Sequence, residues 1–241
     1  ETALMLAIKK GKEDIVKLLI DRGAELDKKN DNGKTALMVA ITDSYKEMVE
    51  LLIDRGADLN IKNYNGETAL MLAIEYNKED IAKKLIEEKA DLNIKDKYGE
   101  KALTLAIKKG KEDIVKLLID NGADLNIKNY NGETALMIAA KNGHKEMVEL
   151  LIDRGAELDK KNNNGSTALM LATFYGHKDV VELFIQKKAD LNIKDKYNNT
   201  VLILAIKELK PYDFEFVESK DIKDIVEKCI EAGAKLNETN D

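Results

Sequence analysis

Residues 129–161 decide the fold, and they read NYNGETALMIAAKNGHKEMVELLIDRGAELDKK. Most of the chain consists of copies of this stretch. The threonine of its T-A-L step recurs with a period of 33 residues, at Thr2, Thr35, Thr68, Thr134, Thr167 and Thr200. Lys101 takes the place of the threonine in the remaining repeat. A fixed period of this length predicts a stacked array. We number its repeats 1 to 7 from starts near residues 1, 30, 63, 96, 129, 162 and 195.

The first half of each repeat predicts a tight turn followed by a short helix. Asn131 and Gly132 readily adopt positive φ, which suits the tip of a β-hairpin. Thr134 stands at the N-cap of a helix through residues 135–139. Because this helix is apolar nearly all round, we expect it to be buried. Gly143 is expected to end it.

The second half of each repeat predicts an amphipathic helix. Residues 147, 148, 150, 151 and 152 are apolar, whereas residues 145, 146, 149 and 153 are charged. This pattern is typical of a helix with one face against a core. Gly155 is expected to close the helix in the left-handed conformation, and extended chain then leads to the next hairpin.

Turn, helix, helix and return at 33 residues resembles the ankyrin repeat, and the resemblance covers the whole chain. The family's T-P-L-H-x-A stands here as T-A-L-M-I-A at residues 134–139. The resemblance implies an all-α solenoid of stacked helix-turn-helix units with β-hairpin fingers. We interpret residues 1–241 as a single ankyrin-repeat domain.

Two departures from the family pattern bear on how repeats are joined. Alanine replaces the proline of the first helical turn. Methionine replaces the histidine that ties neighbouring repeats by hydrogen bonds in the family, at Met5, Met38, Met71, Met137 and Met170. We expect apolar packing to take over that role, since methionine fills irregular gaps.

Repeats 1 to 3 are similar to repeats 4 to 6, because residues 6–21 are identical to residues 105–120 at an offset of 99. A feature that occurs in both blocks is therefore one observation and not two independent ones. Repeats 3 and 6 carry Lys89 and Lys188 where the other repeats have the glycine that closes the second helix. A residue other than glycine in the left-handed conformation costs on the order of 1 kcal/mol of stability. Lys84 replaces a leucine of the second helix, so repeat 3 is predicted to be the weakest internal joint.

Repeat 7 is irregular, because it holds 12 additional residues within residues 208–219. Pro211 and three aromatic residues, Tyr212, Phe214 and Phe216, belong to this insertion. Insertions in such arrays are placed in loops on one face. The insertion either covers the open end of the stack or binds a partner.

Composition limits the possible functions. Charged residues make up 35% of the chain with both signs mixed, and the net charge is −6, which argues against unspecific nucleic-acid binding. Apolar runs are too short for a membrane span, so we expect a soluble protein, with the cytoplasm favoured only slightly. The chain begins at Glu1 inside a repeat, which suggests a processed or truncated N-terminus.

Catalytic, metal and cofactor sites find no support in the pattern. His144 and His177 lie one period apart at the family's Gly-His position, where the resemblance implies packing and capping. Cys229 is the sole cysteine, which rules out an internal disulfide, and it lies on the core side of the last helix. We therefore expect no enzyme activity, no cofactor and no metal.

Candidate binding residues come from the resemblance, which implies that partners bind the finger tips and the exposed ends of the first helices along a concave face. The tips carry Tyr64, Tyr98, Tyr130 and Tyr197. The helix ends carry Tyr76, Phe174 and Tyr175. Tyrosine offers large, stiff contact area with a polar end. Alternatively, these rings lie on lysine stems and stiffen the fingers.

A row of lysines runs beside the fingers at 33-residue intervals, at Lys29, Lys62, Lys95, Lys128, Lys161 and Lys194. Such a row favours an acidic partner strip or protects an exposed edge. The leading hypothesis is a monomeric scaffold that binds another protein. The alternatives are binding of nucleic acid or another polyanion through the lysine row, and a targeting module of a larger protein.

Overall fold

The computed structural model describes residues 1–207 and 219–239, and this part of the chain contains helices and no strand. The insertion expected at residues 208–219 lies outside it, apart from the first residue of the last helix. The helices are α1 (Ala3–Lys9), α2 (Glu13–Asp21), α3 (Ala36–Thr42), α4 (Lys46–Asp54), α5 (Ala69–Glu75), α6 (Glu79–Glu87), α7 (Ala102–Lys108), α8 (Glu112–Asp120), α9 (Ala135–Lys141), α10 (Lys145–Asp153), α11 (Ala168–Phe174), α12 (Lys178–Gln186), α13 (Val201–Lys207) and α14 (Ser219–Glu231).

The chain forms two compact units, an N-terminal unit of Glu1–Ala123 and a C-terminal unit of Asp124–Asp241. In the N-terminal unit the first helices of successive repeats, α1, α3, α5 and α7, pack side by side. In the C-terminal unit α9, α11 and α13 do the same, and α10, α12 and α14 form the second layer. Each first helix packs on the second helix of its own repeat. The single domain over residues 1–241 stays a prediction.

First helices begin where the threonines predict. Thr134 Oγ1 accepts a hydrogen bond from the Met137 amide at 3.4 Å, which confirms the predicted N-cap. The same bond occurs at Thr2, Thr35, Thr68, Thr167 and Thr200. The apolar side chains that follow are buried at residues 36–41 of α3 and 135–140 of α9, which confirms the predicted burial of residues 135–139. Leu6 of α1 and Ile206 of α13 are exposed.

In repeat 4, different residues make the hydrogen bonds at the start of the first helix. Its N-cap residue is Lys101, and the threonine has moved three positions along to Thr104. The Thr104 hydroxyl accepts from the Lys101 amide and donates to the Lys101 carbonyl, both at 2.9 Å. The Lys101 side chain is buried and donates to Asn93 Oδ1 at 3.2 Å.

Residues with positive φ separate the helices of each repeat. Gly143 and Gly155 adopt φ of +72° and +92°, which confirms both predicted helix ends. Lys89 and Lys188 occupy the left-handed region at 65° and 63°, as their places in the repeat predict. Gly143 is required for a second reason, since a Cβ atom there would lie 2.6 Å from His177 Nδ1.

His177 packs on the preceding repeat, as its Gly-His position predicts. Its Nε2 atom is 2.9 Å from the Lys141 carbonyl oxygen, within hydrogen-bonding distance. The ring therefore ties repeat 6 to repeat 5. Repeat 2 uses a different residue at the equivalent joint, because Tyr45 lies against Gly11.

Neighbouring repeats are joined by polar ties as well as by apolar packing. The five methionines at the family's histidine position are all buried, as expected. In addition, an Asp or Asn side chain of one repeat accepts the backbone amide of the next, from Asp27 to Asp58, Asn60 to Asp91, Asn126 to Glu157, Asp159 to Asp190 and Asn192 to Lys235.

The fingers are closed loops, so the prediction of β-hairpins is wrong. The finger loops span residues 30–34, 63–67, 96–100, 129–133, 162–166 and 195–199, and each closes by one hydrogen bond from its first amide to its last carbonyl. In repeat 3 this bond joins Asn63 to Glu67 at 2.9 Å. The Asn63 Oδ1 atom accepts the amides of Asn65 and Glu67 at 2.9 Å each, which satisfies donors that a strand ladder would otherwise take.

Candidate protein-binding surface

All seven aromatic residues singled out in the sequence are exposed. Their exposed fractions run from 42% at Tyr175 to 70% at Tyr64. Four belong to finger loops and three to the C-terminal ends of α5 and α11. Solvent-exposed aromatic rings at the loop tips and helix ends of a repeat protein are typical of a recognition surface.

In the N-terminal unit, two of these rings border one cavity. Tyr64 comes from the finger of repeat 3 and Tyr76 from the C-cap of α5. The cavity between them measures about 380 Å³ and is also lined by Asn32, Lys34, Asn63, Asn65, Glu67, Leu72 and Glu75. We call it the Tyr64–Tyr76 cavity.

In the C-terminal unit, Phe174 and Tyr175 form a second aromatic group. Their rings meet edge to face at 5.1 Å between centroids. Tyr175 also stacks on His177 at 6.4 Å. The described contacts thus group Tyr64 with Tyr76 and Phe174 with Tyr175, whereas Tyr98, Tyr130 and Tyr197 stand at the tips of three other fingers.

A lysine ammonium lies near the rings of Tyr98, Tyr175 and Tyr76. Lys97 Nζ lies 5.0 Å from the Tyr98 ring centroid, Lys141 Nζ lies 5.5 Å from that of Tyr175, and Lys34 Nζ lies 6.0 Å from that of Tyr76. These are cation–π distances. The alternative interpretation, in which lysines stiffen the rings, therefore applies to these three positions.

The lysine row has a structural role that the sequence reasoning missed. Lys128 Nζ donates to the Lys161 carbonyl at 2.7 Å, and Lys161 Nζ donates to the Lys194 carbonyl at 2.8 Å. Lys194 Nζ pairs with Glu238 at 2.8 Å, and this hydrogen bond lowers the pKa of Glu238. Lys128 and Lys161 thus each bind the backbone carbonyl at the same position one repeat further on, and the 33-residue recurrence was the available signal.

The two remaining candidates of the row lie in the N-terminal unit. Lys62 is exposed and Lys95 is half-buried. Of the four candidate lysines in the row, Lys128 and Lys194 are therefore engaged in ties within the array, and Lys62 is exposed.

Within residues 1–207 and 219–239, no set of three His, Cys, Asp or Glu side chains is arranged to hold a metal ion. The Cys229 thiol is fully buried, and desolvation raises its pKa to about 11, so it is a poor nucleophile at neutral pH.

Helices in the described part of the chain fall short of what a bilayer crossing requires in length and apolar character.

Comparison with known proteins identifies the family. The family model described as "Ankyrin repeats (3 copies)" matches residues 1–63, 56–129 and 136–240. The chain belongs to the ankyrin repeat family. Its all-α helix pairs and the 33-residue period agree with this assignment, while the number of seven repeats rests on the sequence count.

Solved structures support the same fold. The crystal structure of the ankyrin repeat domain of Bcl-3, described as a unique member of the IkappaB protein family, superposes with a TM-score of 0.78 and 28% sequence identity. The match covers 94% of this chain and 98% of the Bcl-3 chain. No curated protein sequence matches the chain. Ankyrin repeats generally serve as protein–protein interaction modules and are typically non-enzymatic.

Proposed function

We propose that this ankyrin-repeat protein is a non-catalytic scaffold that binds a partner protein through its finger loops and the C-terminal ends of its first helices. One observation carries the proposal: seven exposed aromatic side chains occupy these elements. Such rings act as binding anchors because they bury a large area at a small cost in conformational entropy. The scaffold acts as a monomer, as one domain over residues 1–241, and without a cofactor.

The lysines beside the fingers have a secondary part in this proposal. Lys62, Lys95 and Lys128 place positive charge along the binding elements, whereas the charge of Lys194 is balanced by Glu238. Hydrogen bonding to a neighbouring carbonyl leaves the charge of Lys128 in place. The row therefore favours a partner with an acidic strip, mainly by accelerating association, since charge at the rim of an interface acts on the rate of encounter.

The experiment compares wild type with the double variant Tyr130→Ala and Tyr175→Ala. Partners are captured on immobilised protein and identified by mass spectrometry, and the affinity of the recovered partner is then measured with purified components. We expect the double variant to bind that partner at least about tenfold more weakly, because each ring is a candidate anchor worth on the order of 1 kcal/mol or more. Its far-UV circular dichroism should be unchanged.

A matched control is the double variant Lys116→Ala and Glu149→Ala, which changes exposed residues on the second helices α8 and α10. This control should bind like wild type. Equal affinity of the tyrosine variant and wild type would contradict the proposal. Retention of a single-stranded oligonucleotide that falls steeply with salt would instead favour polyanion binding.

A further inference from the structure

A recurring contact joins the finger to the end of the first helix. The last finger residue meets the last residue of the first helix, eight positions later in sequence. This contact is a Lys–Glu ion pair in three repeats, at 2.6 Å for Lys9–Glu1, 2.7 Å for Lys108–Glu100 and 3.7 Å for Lys141–Glu133. In repeat 7 the lysine Lys207 donates to the Asn199 amide oxygen at 2.7 Å. A lysine at this place also suits the negative end of the helix dipole.

Repeat 3 has a glutamate at the position of this lysine. Its finger ends on Glu67, as in repeats 4 and 5, but its first helix α5 ends on Glu75. Repeat 3 therefore has two carboxylates at the positions where repeats 1, 4 and 5 have an ion pair. Like charges here repel, and Glu75 also has the same sign as the helix C-terminus.

Glu75 and Glu67 differ in their partners. Glu75 pairs with Lys109 at 2.7 Å. Glu67 is half-buried, and its Oε2 atom accepts from the side-chain amides of Asn63 at 2.7 Å and Asn65 at 3.4 Å. Among residues 1–207 and 219–239, no cation lies within ion-pair distance of Glu67, so one carboxylate in this repeat has neutral partners only.

Both carboxylates line the Tyr64–Tyr76 cavity. Its volume of about 380 Å³ falls in the range of sites that hold a ligand group, roughly 300–1,000 Å³. Leu72 supplies an apolar surface for the stem of a long side chain. The Lys34 ammonium near the Tyr76 ring shows that this ring already faces one positive charge.

We propose that the Tyr64–Tyr76 cavity takes an arginine side chain of the partner protein, which supplies a cation to Glu67, the carboxylate of this cavity that has neutral partners only. The guanidinium pairs with Glu67 and stacks on a tyrosine ring. Arginine fits better than lysine, because its planar cation can bond a carboxylate with two donors and stack on an aromatic face at the same time. This inference rests on the proposed function and names the chemistry of one contact within it.

The duplicated block supplies an internal comparison. At an offset of 99 residues, Glu67 corresponds to Ser166 and Glu75 to Phe174, while Tyr76 corresponds to Tyr175. Repeat 6 thus keeps one ring and lacks both carboxylates. An arginine-specific site is expected in repeat 3 and not in repeat 6.

The first test uses the full chain and a short peptide probe, acetyl-Gly-Arg-Gly-amide. It is compared with the same peptide carrying citrulline, which is neutral and nearly the same shape, and with one carrying glutamate. Nuclear magnetic resonance should show saturable shifts of the Glu67, Leu72 and Tyr76 amides with the arginine peptide, and none at Ser166 or Tyr175. Equal shifts with citrulline, or no shifts at all, would overturn the inference.

The second test is the variant Glu75→Lys, which installs the residue that repeats 4 and 5 have at this place. The introduced lysine should pair with Glu67 and compete with the probe, so that the arginine peptide binds up to about fivefold more weakly, the upper end of the range for an exposed ion pair. Because the same pair exists in repeats 4 and 5, the variant is expected to fold. Equal affinity of the Glu75→Lys variant and wild type for the arginine peptide would contradict the inference.

The control for net charge is Glu50→Lys, on the exposed side of α4. It makes the same charge change away from the cavity and should leave peptide affinity as in wild type. Loss of affinity in this control would show that net charge alone governs binding, which also counts against the site. The peptide test requires no partner, so its failure is separable from failure of the tyrosine variant to lose the partner.

Discussion

At the scale of single residues, glycines with the same backbone conformation have different reasons to be glycine. Gly143 and Gly155 both have positive φ, but a Cβ atom at Gly143 would meet His177, whereas one at Gly155 would meet nothing within 4 Å. The first glycine is fixed by conformation and by packing of the next repeat. The second is fixed by conformation alone.

We therefore expect Gly143→Ala to destabilise more than Gly155→Ala. The second substitution should cost about 1 kcal/mol for the left-handed conformation, and the first about 2 kcal/mol or more, since the ring of His177 must also move. Urea unfolding followed by circular dichroism measures both. Adding His177→Ala should recover part of the loss for Gly143→Ala only. Equal costs for the two glycines would contradict the packing argument.

The buried thiol makes stability depend on alkaline pH. Burial raises the pKa of Cys229 from 9.0 to about 11, so the folded state holds the thiol proton more tightly than the unfolded chain does. This contribution is fully present below pH 9 and is lost as the pH rises toward 11. The free energy of unfolding should fall by about 2–3 kcal/mol over that interval, relative to Cys229→Ala.

Cys229→Ala is the reference because lysines and tyrosines titrate in both proteins, and their contributions cancel in the difference. The alanine variant should be less stable by a constant amount below pH 9, since it leaves a small cavity. Curves of unfolding free energy that run parallel from pH 8 to pH 11 would show that the thiol is accessible in the folded state.

At the scale of the elements, repeat 3 combines three unfavourable features. Lys89 takes a left-handed conformation with φ of 65° at the end of α6. Lys84 stands where most repeats have a leucine in the second helix. Glu67 and Glu75 replace an ion pair by two carboxylates. Each feature weakens packing or backbone geometry within the same 33 residues.

We expect α6 to exchange its amide hydrogens faster than α4 and α8, its neighbours in the N-terminal unit, because local opening follows local stability. Lys89→Gly should slow this exchange and raise the free energy of unfolding by about 1 kcal/mol, since glycine adopts positive φ without strain. Hydrogen exchange read by mass spectrometry resolves the three helices. Uniform protection across them would refute the prediction.

The elements show what the sequence could and could not predict. Helix order, the Thr134 cap, the glycine ends and the left-handed lysines all follow from local rules that act within a few residues. The β-hairpin was wrong because Asn131 and Gly132 specify a turn, and a turn alone does not require paired strands on either side. In these fingers, the side-chain oxygen of Asn129 accepts the Asn131 and Glu133 amides.

The individual Asp, Asn and Lys contacts between repeats were not predicted, because they join residues about 31 to 33 positions apart through side-chain geometry. Asn60 looks like an ordinary loop residue until its Oδ1 atom is found 2.8 Å from the Asp91 amide. From the sequence Lys128 resembles any solvated lysine, but in the structure its ammonium donates a hydrogen bond to the Lys161 carbonyl. The Tyr64–Tyr76 cavity likewise needs coordinates, since its lining comes from residues 32–34, 63–67 and 72–76.

At the scale of the whole molecule, each compact unit has a core of its own. In the N-terminal unit, buried side chains such as Leu37, Ile41 and Leu70 lie between successive first helices. The C-terminal unit has the same arrangement around Leu136, Met137 and Leu169. Stability of a repeat array is close to a sum over repeats and the interfaces between neighbours, and about three repeats suffice for a stable core.

We therefore expect a chain of residues 1–123 to fold by itself, because it retains four helix pairs and their interfaces. Far-UV circular dichroism should show a helical protein with a cooperative urea transition. Its m-value should be about half that of the full chain if the latter unfolds in one step, since m scales with the surface exposed. A chain of residues 1–54, with two helix pairs, is the control and should be mostly unfolded. A non-cooperative transition for residues 1–123 would mean that its buried side chains do not form a self-sufficient core.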